Sequence, residues 1–315
     1  MTGILTVTLN PALDVSTSVD HLRAGDKLRC AVPSLDTGGG GVNVARAIGE
    51  LGGRATAFVT LAGHTGAQFR DLLEQEPLVP LVFDIPGDTR QSLAVTDASD
   101  GKQYRFVMPG PLWSDEIARE VLAAIAEAAP ADGLVVLSGS QPPGVADDFP
   151  AELAAAVVAR GARLVLDTSG PPLRALLTAG RAGHDVLRLD GAESAELAGR
   201  SLDSQADVAA FAQSLVADGV AAIVVLALGP GGSVLATRAG RWHCNTIDVP
   251  VKSKVGAGDS FVGAFTLALS RGAAPEAALV QGCAAASAAV MTDATALCRR
   301  EDVEALAKSA VLTPL

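Results

Sequence analysis

Short apolar segments alternate along this chain with alanine- and leucine-rich segments of helical period. The apolar segments carry few polar residues on either face, which is typical of strands buried on both sides. We predict strands at residues 4–9, 55–62, 134–138, 163–168 and 222–228. We predict helices at about residues 42–51, 66–75, 115–129, 150–160 and 205–218. This alternation favours an α/β fold, with a mostly parallel central sheet flanked by helices on both faces.

Two segments depart from the alternation, residues 14–35 and 88–107. Polar and apolar residues alternate in them with a period of two, and Ser99-Asp100-Gly101 has the composition of a hairpin turn. We predict a small antiparallel sheet here, outside the main one, that covers a site as a lid or pairs with a second subunit. No internal repeat or linker interrupts the sequence, so we expect one domain over residues 1–315 with this lid.

Composition and charge exclude several functional classes. A formal net charge of -11 argues against binding to nucleic acid or to an anionic membrane surface. No apolar run approaches the ~18 residues of a membrane span, and the N-terminus lacks the organisation of a signal peptide, so we expect a cytoplasmic protein. The cysteines and histidines show no metal-ligand or redox spacing; they are Cys30, Cys244, Cys283, Cys298, His21, His64, His184 and His243.

Residues 253–265, SKVGAGDSFVGAF, concentrate glycine and alanine around one aspartate. The small apolar residues from Ser260 onward predict a buried helix, which Gly272 would end. Glycines before a helix let the backbone approach an anion at the helix N-terminus, where N–H groups are unpaired and the dipole is positive. On these residues alone, Asp259 is either a helix cap or a catalytic base.

A second glycine-rich run, TGGGGVNVARAIGELGG, covers residues 37–53. Four consecutive glycines lead into an amphipathic helix and form another helix N-terminus that a small polar ligand can approach. Neither the dinucleotide fingerprint nor the P-loop pattern is present, which disfavours a nicotinamide-dependent dehydrogenase. The alternative is a flexible turn followed by a helix on which Asn43 is a surface residue.

Three of these segments occur together in a characteristic order: TLNPALD near the start, then GGGGVNVARAIGELGG, then VGAGDSFVGAF near the end. In this the chain resembles the ribokinase-like sugar kinase family, also called the PfkB family. Five further blocks resemble its bacterial 6-phosphofructokinase branch: DKLRC, TRQSL, KQYRFVMPG, LSGSQPPGV and LDTSG. The matches span residues 4 to about 300. The resemblance implies a ribokinase-like fold, ATP- and Mg²⁺-dependent phosphorylation of the C1 hydroxyl of fructose 6-phosphate or a related ketohexose phosphate, and a homodimer formed through the lid.

The resemblance also implies residue roles. The aspartate of GAGD takes the proton of the attacking hydroxyl, and the backbone before it holds the transferred phosphoryl group; these positions are Asp259 and Gly256, Ala257 and Gly258. The sugar hydroxyls are assigned to Asp14, Gly39, Gly40, Asn43 and Ser140. The substrate phosphate is assigned to Lys27, Arg29 and Arg90, with Arg29 as a candidate to come from the other subunit. Taken singly, each also has a structural explanation, as a turn residue, a solvated lid charge or a cap.

The nucleotide side departs from the family pattern. Asp190 stands where the family has Asn, and Glu193 keeps its spacing, so these two are candidate Mg²⁺ ligands; the alternative is a loop acid and a helix N-terminal acid. Ala227 replaces a hydroxyl residue in ALGPGGS, which leaves Gly229 and Gly232 as candidate nucleotide contacts together with Asp190. The segment before GAGD is shortened, which leaves a monovalent-cation site open and makes Lys254 a candidate to supply positive charge instead.

Two kinds of alternative remain open. A kinase with the same chemistry could act on another acceptor, as tagatose-6-phosphate kinase or 1-phosphofructokinase; DKLRC favours the 6-phosphofructokinase branch over the latter. MTDATALC, residues 291–298, also lacks a glycine that related kinases carry beside the adenine. Because the departures lie on the donor side, a noncatalytic sugar-phosphate sensor is the rival from another class. An unaltered GAGD motif argues for the enzyme, since a pure binder needs no base.

Overall fold

The structure is a computed structural model that describes residues 2–178, 184–293 and 296–315. Part of the predicted adenine-side segment, residues 294–295, lies outside this range. The described strands are β1 Ile4–Thr8, β2 Ala12–Val19, β3 Ser34–Gly38, β4 Thr56–Leu61, β5 Val79–Asp84, β6 Arg90–Asp97, β7 Gln103–Val107, β8 Leu134–Ser138, β9 Arg163–Asp167, β10 His184–Leu189, β11 Ala221–Ala227, β12 Ser233–Thr237, β13 Gly240–Cys244 and β14 Leu312–Pro314.

Ten of these strands form the central sheet, in the order β14-β13-β12-β11-β10-β9-β8-β1-β4-β5. Every neighbouring pair from β5 to β11 is parallel, and the three pairings beyond β11 are antiparallel. The predicted α/β fold with a mostly parallel sheet is therefore confirmed. All five predicted strands are present, and the carboxyl ends of β8, β9 and β10 lie side by side, where ligands of such folds bind.

Helices cover both faces of the central sheet. They are α1 Gly40–Glu50, α2 Gly63–Leu73, α3 Asp115–Ala128, α4 Phe149–Ala159, α5 Pro171–Thr178, α6 Gly191–Ala198, α7 Gln205–Ala217, α8 Ala257–Ser270, α9 Pro275–Ala289 and α10 Arg300–Ala307. Two separate hydrophobic clusters result, because alternate residues of a strand point to opposite faces: Ile4 belongs to one cluster, and Leu5 and Val7 to the other. No helix among the described residues is long and apolar enough to cross a membrane.

Helix α8 confirms the prediction from the GAGD segment, since it is buried along almost its whole length. It lies between α1 and α9, and it comes closest to α1 at Gly263. A Cβ atom at Gly263 would lie 2.8 Å from the Cβ atom of Ala47 and 3.1 Å from the carbonyl oxygen of Val44. The absence of a side chain at this position therefore lets the two helices approach closely, with both glycine-rich motifs at the same end.

The predicted lid is a separate four-stranded sheet in the order β3-β2-β6-β7. Its outer pairings, β2 with β3 and β6 with β7, are antiparallel as expected, whereas the central pairing of β2 with β6 is parallel. The hairpin turn is present: the Asp97 N–H donates to the Lys102 carbonyl at 2.9 Å, and Gly101 has a φ of 71°.

One part of the lid prediction is wrong. Residues 20–33, within the expected strand segment 14–35, form a loop that connects β2 to β3. This stretch is rich in charged residues and contains Gly25 and Pro33, and little of it finds a strand to pair with. It is attached to β2 near its end, where the Ala31 N–H donates to the Ser18 carbonyl and the Thr17 hydroxyl to the Ala31 carbonyl.

His184, at the start of β10, makes the stability of this fold depend on pH. Its side chain is buried, neither ring nitrogen has a hydrogen-bond partner among the described residues, and burial lowers its pKa to about 4. An unfolded histidine titrates near 6.5, so the unfolded state binds the extra proton first as pH falls. Stability is therefore lost between about pH 6.5 and 4, by about 3 kcal/mol for a shift of this size.

We predict that His184→Leu removes this component. Urea unfolding between pH 7.5 and 4.5 should show wild-type stability falling relative to that of the variant as pH decreases. His64→Leu is the control, because His64 is exposed on α2. An equal pH slope for wild type and His184→Leu would contradict the assignment.

Candidate active site

A cavity of about 320 Å³ lies between the lid sheet and the carboxyl ends of β8, β9 and β10; we name it the lid cavity. Strand register explains its upper wall. Ala12 and Asp14 of β2 pair with Arg90 and Ser92 of β6, and Arg105 of β7 pairs with Ala94, two residues further along the same face. One face of the lid sheet therefore presents a carboxylate and two guanidinium groups to the cavity.

The floor of the lid cavity contains Asp259 and Asn43, from α8 and α1. The Nδ2 amide of Asn43 donates to Oδ2 of Asp259 at 2.9 Å. Gly256, with a φ of 76°, is the N-cap of α8, and no side chain caps this helix. The cap interpretation of Asp259 is therefore wrong, because its carboxylate is bonded to Asn43 and the cap position belongs to Gly256.

Backbone amides at the start of α8 lie next to Asp259 and have no backbone hydrogen bond within the described residues. The first main-chain bond of α8 runs from the Ser260 N–H to the Gly256 carbonyl at 2.8 Å, so the N–H groups of Ala257, Gly258 and Asp259 precede the hydrogen-bonded turns. These amides and the helix dipole provide an anion-binding position. The predicted residues Gly256, Ala257 and Gly258 therefore lie where a phosphoryl group could meet Asp259.

The electrostatic environment favours the protonated form of Asp259. Burial, followed by the negative charge of Asp167, raises the pKa of Asp259 to about 7, although Asn43, Arg188 and Arg46 oppose the rise. A carboxyl group with this pKa accepts a proton far more readily than an ordinary aspartate and is still ionised in half of the molecules near neutral pH. This is the property required of a general base.

Arg188 lies at the centre of the charge arrangement. Its Nη1 donates to Oδ1 of Asp167 at 3.1 Å, while the Ser138 hydroxyl donates to Oδ2 of Asp167 at 2.9 Å. Burial disfavours the charge of Arg188, but the carboxylates of Asp167, Glu193 and Asp190 raise its pKa. Its Nε is buried without a hydrogen-bond partner in the described part of the chain.

A second cavity, of about 430 Å³, lies on the other side of Arg188; we name it the outer cavity. It is lined by Gly229 and Gly232, from the turn between β11 and β12, and by Lys254 and Gly258. Arg188 and the start of α8 border it as well, so the two cavities meet at the N-terminus of this helix. The candidate nucleotide residues Gly229, Gly232 and Lys254 are thus brought together.

Asp190 and Glu193 form a capping box at the start of α6. The Glu193 N–H donates to Oδ1 of Asp190, and the Asp190 N–H donates to Oε2 of Glu193. The alternative role as helix N-terminal acids is therefore present in the structure. Each carboxylate keeps one oxygen that has no hydrogen bond within the described residues, so the capping role leaves a metal-binding role open.

Glu193 also lines the lid cavity, and its pKa is raised to about 7, first by burial and then by Asp190 and Asp167. Among the described residues, no group of three or more His, Cys, Asp or Glu side chains could hold a metal by itself. Two carboxylates completed by phosphate oxygens and water fit Mg²⁺ coordination, since Mg²⁺ in phosphoryl-transfer sites uses one or two protein carboxylates. The pair Asp190 and Glu193 fits this ion.

The lid cavity assembles some of the predicted sugar-phosphate residues and leaves others apart. Asp14, Gly39, Gly40, Asn43 and Arg90 all line it. Lys27 and Arg29 line a different depression, in the loop after β2, so one chain does not assemble the predicted three-cation cluster. Ser140 is exposed, and its hydroxyl oxygen accepts a hydrogen bond from the side-chain amide of Asn10 at 3.1 Å. The backbone carbonyl of Asn10 in turn accepts hydrogen bonds from Arg90.

Several residues that line the lid cavity were not predicted from the sequence, although a sequence pattern pointed to some of them. Arg105 lies in KQYRFV, whose period-two pattern places it on the same face as Val107. Arg188 and Asp167 were not predicted as site residues, because their contact depends on β9 and β10 being neighbours in the sheet, which the sequence does not show. Ser138 and Thr168, which also border the lid cavity, follow from the rule that ligands bind at strand ends.

A model of the pfkB family of carbohydrate kinases matches residues 8–302. The chain belongs to the pfkB family, and the resemblance inferred from its motifs is confirmed. By family it is a carbohydrate kinase.

Named relatives lie close to the predicted branch. The chain is 40% identical over 301 residues to the ATP-dependent 6-phosphofructokinase isozyme 2 of Mycobacterium tuberculosis, covering 96% of this chain and 88% of the relative. Two crystal structures of phosphofructokinase-2 from Escherichia coli also resemble it, each over 98% of this chain and 99% of the other. The complex with potassium has a TM-score of 0.93 at 37% identity, and the complex with fructose-6-phosphate has a TM-score of 0.90 at 36% identity.

The ion pair of Arg188 predicts a large stability effect. Arg188 and Asp167 are only 15% and 12% exposed, so Arg188→Met leaves a buried carboxylate unpaired and should cost about 3–5 kcal/mol of unfolding free energy. Arg163→Met is the matched control, because Arg163 and Asp185 form the other ion pair between β9 and β10 and are 42% and 21% exposed. It should cost about 1 kcal/mol or less. Urea unfolding at pH 8 compares the two, and equal losses would contradict the central role of Arg188.

Proposed function

We propose that this protein transfers the γ-phosphoryl group of ATP to the C1 hydroxyl of fructose 6-phosphate. The observation that carries the proposal is the position of Asp259: it lies at the floor of the lid cavity, on the first turn of a helix whose free amides border the outer cavity. The sugar phosphate occupies the lid cavity and the nucleotide the outer cavity. The relatives named ATP-dependent 6-phosphofructokinase support this choice of donor and acceptor.

Asp259 starts the reaction by accepting the proton of the C1 hydroxyl on Oδ1, the oxygen that does not bond to Asn43. The resulting alkoxide oxygen forms a bond to the γ-phosphorus, while the bond from this phosphorus to the bridging oxygen breaks and leaves its electron pair on ADP. The amides of Ala257 and Gly258 and the guanidinium of Arg188 stabilise the charge on the transferring group. Phosphoryl transfer depends mainly on such positioning and electrostatic stabilisation.

Mg²⁺, held by Asp190 and Glu193 when bound, would neutralise charge on the phosphate oxygens of the nucleotide. The local charge favours binding of a cation, since four carboxyl groups lie around one arginine. They belong to Asp167, Asp190, Glu193 and Asp259. Burial first, and then this excess of negative charge, raises the pKa values of Glu193 and Asp259. A monovalent-cation site near Lys254 stays a prediction. The Escherichia coli phosphofructokinase-2 solved with potassium offers a precedent for it.

Arg90 and Arg105 support a phosphorylated acceptor. Arg90 is held by the carbonyl oxygens of Asn10 and Met108, and burial lowers its pKa, although Asp14 favours its charge. Burial raises the pKa of Asp14, which Arg105 and Arg90 oppose. This pairing places one carboxylate for sugar hydroxyls beside two cations for the phosphate. The relative solved with fructose-6-phosphate is consistent with such a ligand.

Lys27 and Arg29 fit the proposal through a homodimer. They lie on the loop after β2, away from the lid cavity of their own chain, and we propose that Arg29 reaches the phosphate bound by a second chain. Strand β7 is one of the two edge strands of the lid sheet and is exposed along its whole length, with Tyr104 and Phe106 40% and 50% exposed. An exposed apolar edge strand is a natural pairing surface.

The proposal is tested by steady-state phosphoryl transfer from Mg-ATP to fructose 6-phosphate, tagatose 6-phosphate and fructose 1-phosphate, with sugar-phosphate binding measured in parallel. Turnover fastest with fructose 6-phosphate supports it. Faster turnover with either of the others moves the assignment to tagatose-6-phosphate kinase or 1-phosphofructokinase. Binding without turnover, with ATP and other nucleoside triphosphates, moves it to a sensor.

Asp259→Asn should lower kcat by a factor of about 10³, because general bases contribute roughly 10²–10⁴. Fructose 6-phosphate binding should persist, since the variant keeps the shape of the side chain. For the wild type, kcat/KM should fall as pH decreases through about 7, where Asp259 becomes protonated. Near-normal turnover of Asp259→Asn would overturn the assignment of the base.

Phe106→Glu should dissociate the homodimer into monomers, because it places a charge in the apolar edge of the lid. The KM for fructose 6-phosphate should rise as Arg29 of the second chain is lost. Val158→Glu is the control, since Val158 is 51% exposed on α4, far from the lid in the sequence. Sedimentation velocity measures the assembly, and an unchanged dimer with Phe106→Glu would reject the lid interface.

A further inference from the structure

A chain of hydrogen bonds runs from the lid sheet to Asp259 through Asn43 and includes three residues to which no role has yet been given, Thr37, Glu76 and Arg46. The Thr37 hydroxyl, at the end of β3, donates to Oε1 of Glu76 at 3.2 Å, and Nε of Arg46 donates to Oε2 of Glu76 at 2.9 Å. Nη1 of Arg46 donates to Oδ1 of Asn43 at 3.4 Å, and Asn43 donates to Asp259. We name Glu76, Arg46 and Asn43 the amide relay.

The geometry of the amide relay fixes which end of Asn43 faces the base. A carboxamide has one accepting end, the oxygen, and one donating end, the nitrogen. Arg46 has only donors, so it selects the oxygen of Asn43 and turns the nitrogen toward Asp259. Oδ2 of Asp259 then accepts a hydrogen bond, and within the described residues Oδ1 has no protein partner.

The relay also places a positive charge behind the base. The charged and titratable groups around Asp259 include Arg46 from α1, Asp167 from β9, Arg188 from β10 and Glu193 from α6. Across the lid cavity, the lid sheet adds Asp14, Arg90 and Arg105. Arg188 is already paired with Asp167. Arg46 lowers the pKa of Asp259, and its own partner, Glu76, lies in the turn after α2.

The burial of Arg46 distinguishes this pair from a surface ion pair. Arg46 and Glu76 are 17% and 21% exposed, whereas Arg70 and Asp84, the neighbouring pair that involves α2, are 40% and 74% exposed. Exposed pairs of the second kind contribute little to stability. A pair as buried as Arg46 and Glu76 holds its arginine in one place, which a positioning role requires.

We propose that Arg46, held by Glu76, is a positioning residue for the phosphoryl transfer: it orients Asn43 so that Asp259 is anchored by Oδ2 and presents Oδ1 to the acceptor hydroxyl. This inference rests on the proposed function, because it assigns Asp259 as the base. It extends to the lid, since Thr37 links Glu76 to β3, adjacent to β2, which carries the sugar-binding candidate Asp14.

The test separates positioning from structural support by using opposite charge changes. Arg46→Gln removes the positive charge, so the pKa of Asp259 and the acidic limb of kcat/KM should move up by about 1 pH unit. Glu76→Gln keeps a hydrogen-bond acceptor for Arg46 but removes the negative charge that offsets the charge of Arg46. The pKa of Asp259 and the acidic limb of kcat/KM should therefore both move down. Arg46→Lys keeps the positive charge but cannot donate to Glu76 and Asn43 with the same geometry. We expect kcat to fall by about 10-fold, with only a small shift of the acidic limb of kcat/KM.

Arg70→Gln is the matched control, because it also breaks a helix-borne arginine–carboxylate pair and should change neither quantity. The pKa of Asp259 is read independently of activity by carboxyl ¹³C NMR titration, with Asp259→Asn used to assign the signal. Opposite shifts in Arg46→Gln and Glu76→Gln support the proposal. An unchanged Asp259 titration in folded Arg46→Gln overturns it.

The two levels of proposal fail separately. If the wild type phosphorylates none of the three sugar phosphates, the proposed function fails, while the NMR titration still decides whether the relay controls Asp259. If the wild type is active and the Arg46 and Glu76 variants lose activity in parallel without any shift of the acidic limb, the relay is only structural and the positioning role is rejected. Should Arg46→Gln fail to fold, Arg46→Lys and Glu76→Gln decide the question.

Discussion

The ion pair between Arg188 and Asp167 is the interaction on which the site depends. It joins the carboxyl ends of β9 and β10 at the point where the two cavities meet, and a buried arginine there is tolerated only because carboxylates surround it. Burial first, and then the neighbouring carboxylates, raises the pKa values of Asp259 and Glu193 to about 7. The excess of carboxylates over the one arginine would favour a bound cation and would disfavour an anionic ligand that arrives without one.

The lid sheet concentrates positive charge at one cavity of a strongly acidic chain. Its parallel central pairing sets Asp14 beside Ser92, and the β6–β7 hairpin adds Arg105 to the same face as Arg90. The cations are therefore presented by strand register and not by a flexible loop. Lys27 and Arg29, which do lie on a loop, line a separate depression of the same chain. In the proposed function, substrate binding and assembly would therefore both use one small sheet.

Much of the fold was predictable, because β1, β4, β8, β9 and β11 are apolar on both faces and lie between amphipathic helices. Strand β10 was not predicted, because Asp185 and Arg188 interrupt its apolar pattern. The ion-pair partners of these two residues lie on β9 and can be identified only from the structure. Also not predicted were β5, which contains Pro80 and is an edge strand, and the antiparallel strands β12 to β14. In the site, motif positions such as Asp259 and Asn43 were predictable, whereas Arg105, Asp167 and the relay through Arg46 depend on contacts between distant segments.

The relation between the two glycine-rich motifs follows from one packing contact. Each motif forms the start of a helix, but the chemistry requires both helix ends in the same place, since Asn43 belongs to α1 and Asp259 to α8. Gly263 allows this, because a Cβ atom there would press on Ala47 and separate the helices. The 2.9 Å bond between Asn43 and Asp259 is therefore a consequence of backbone approach one turn further along α8. Gly263 thus lies outside both predicted ligand-binding loops, in the buried contact between the helices that carry them.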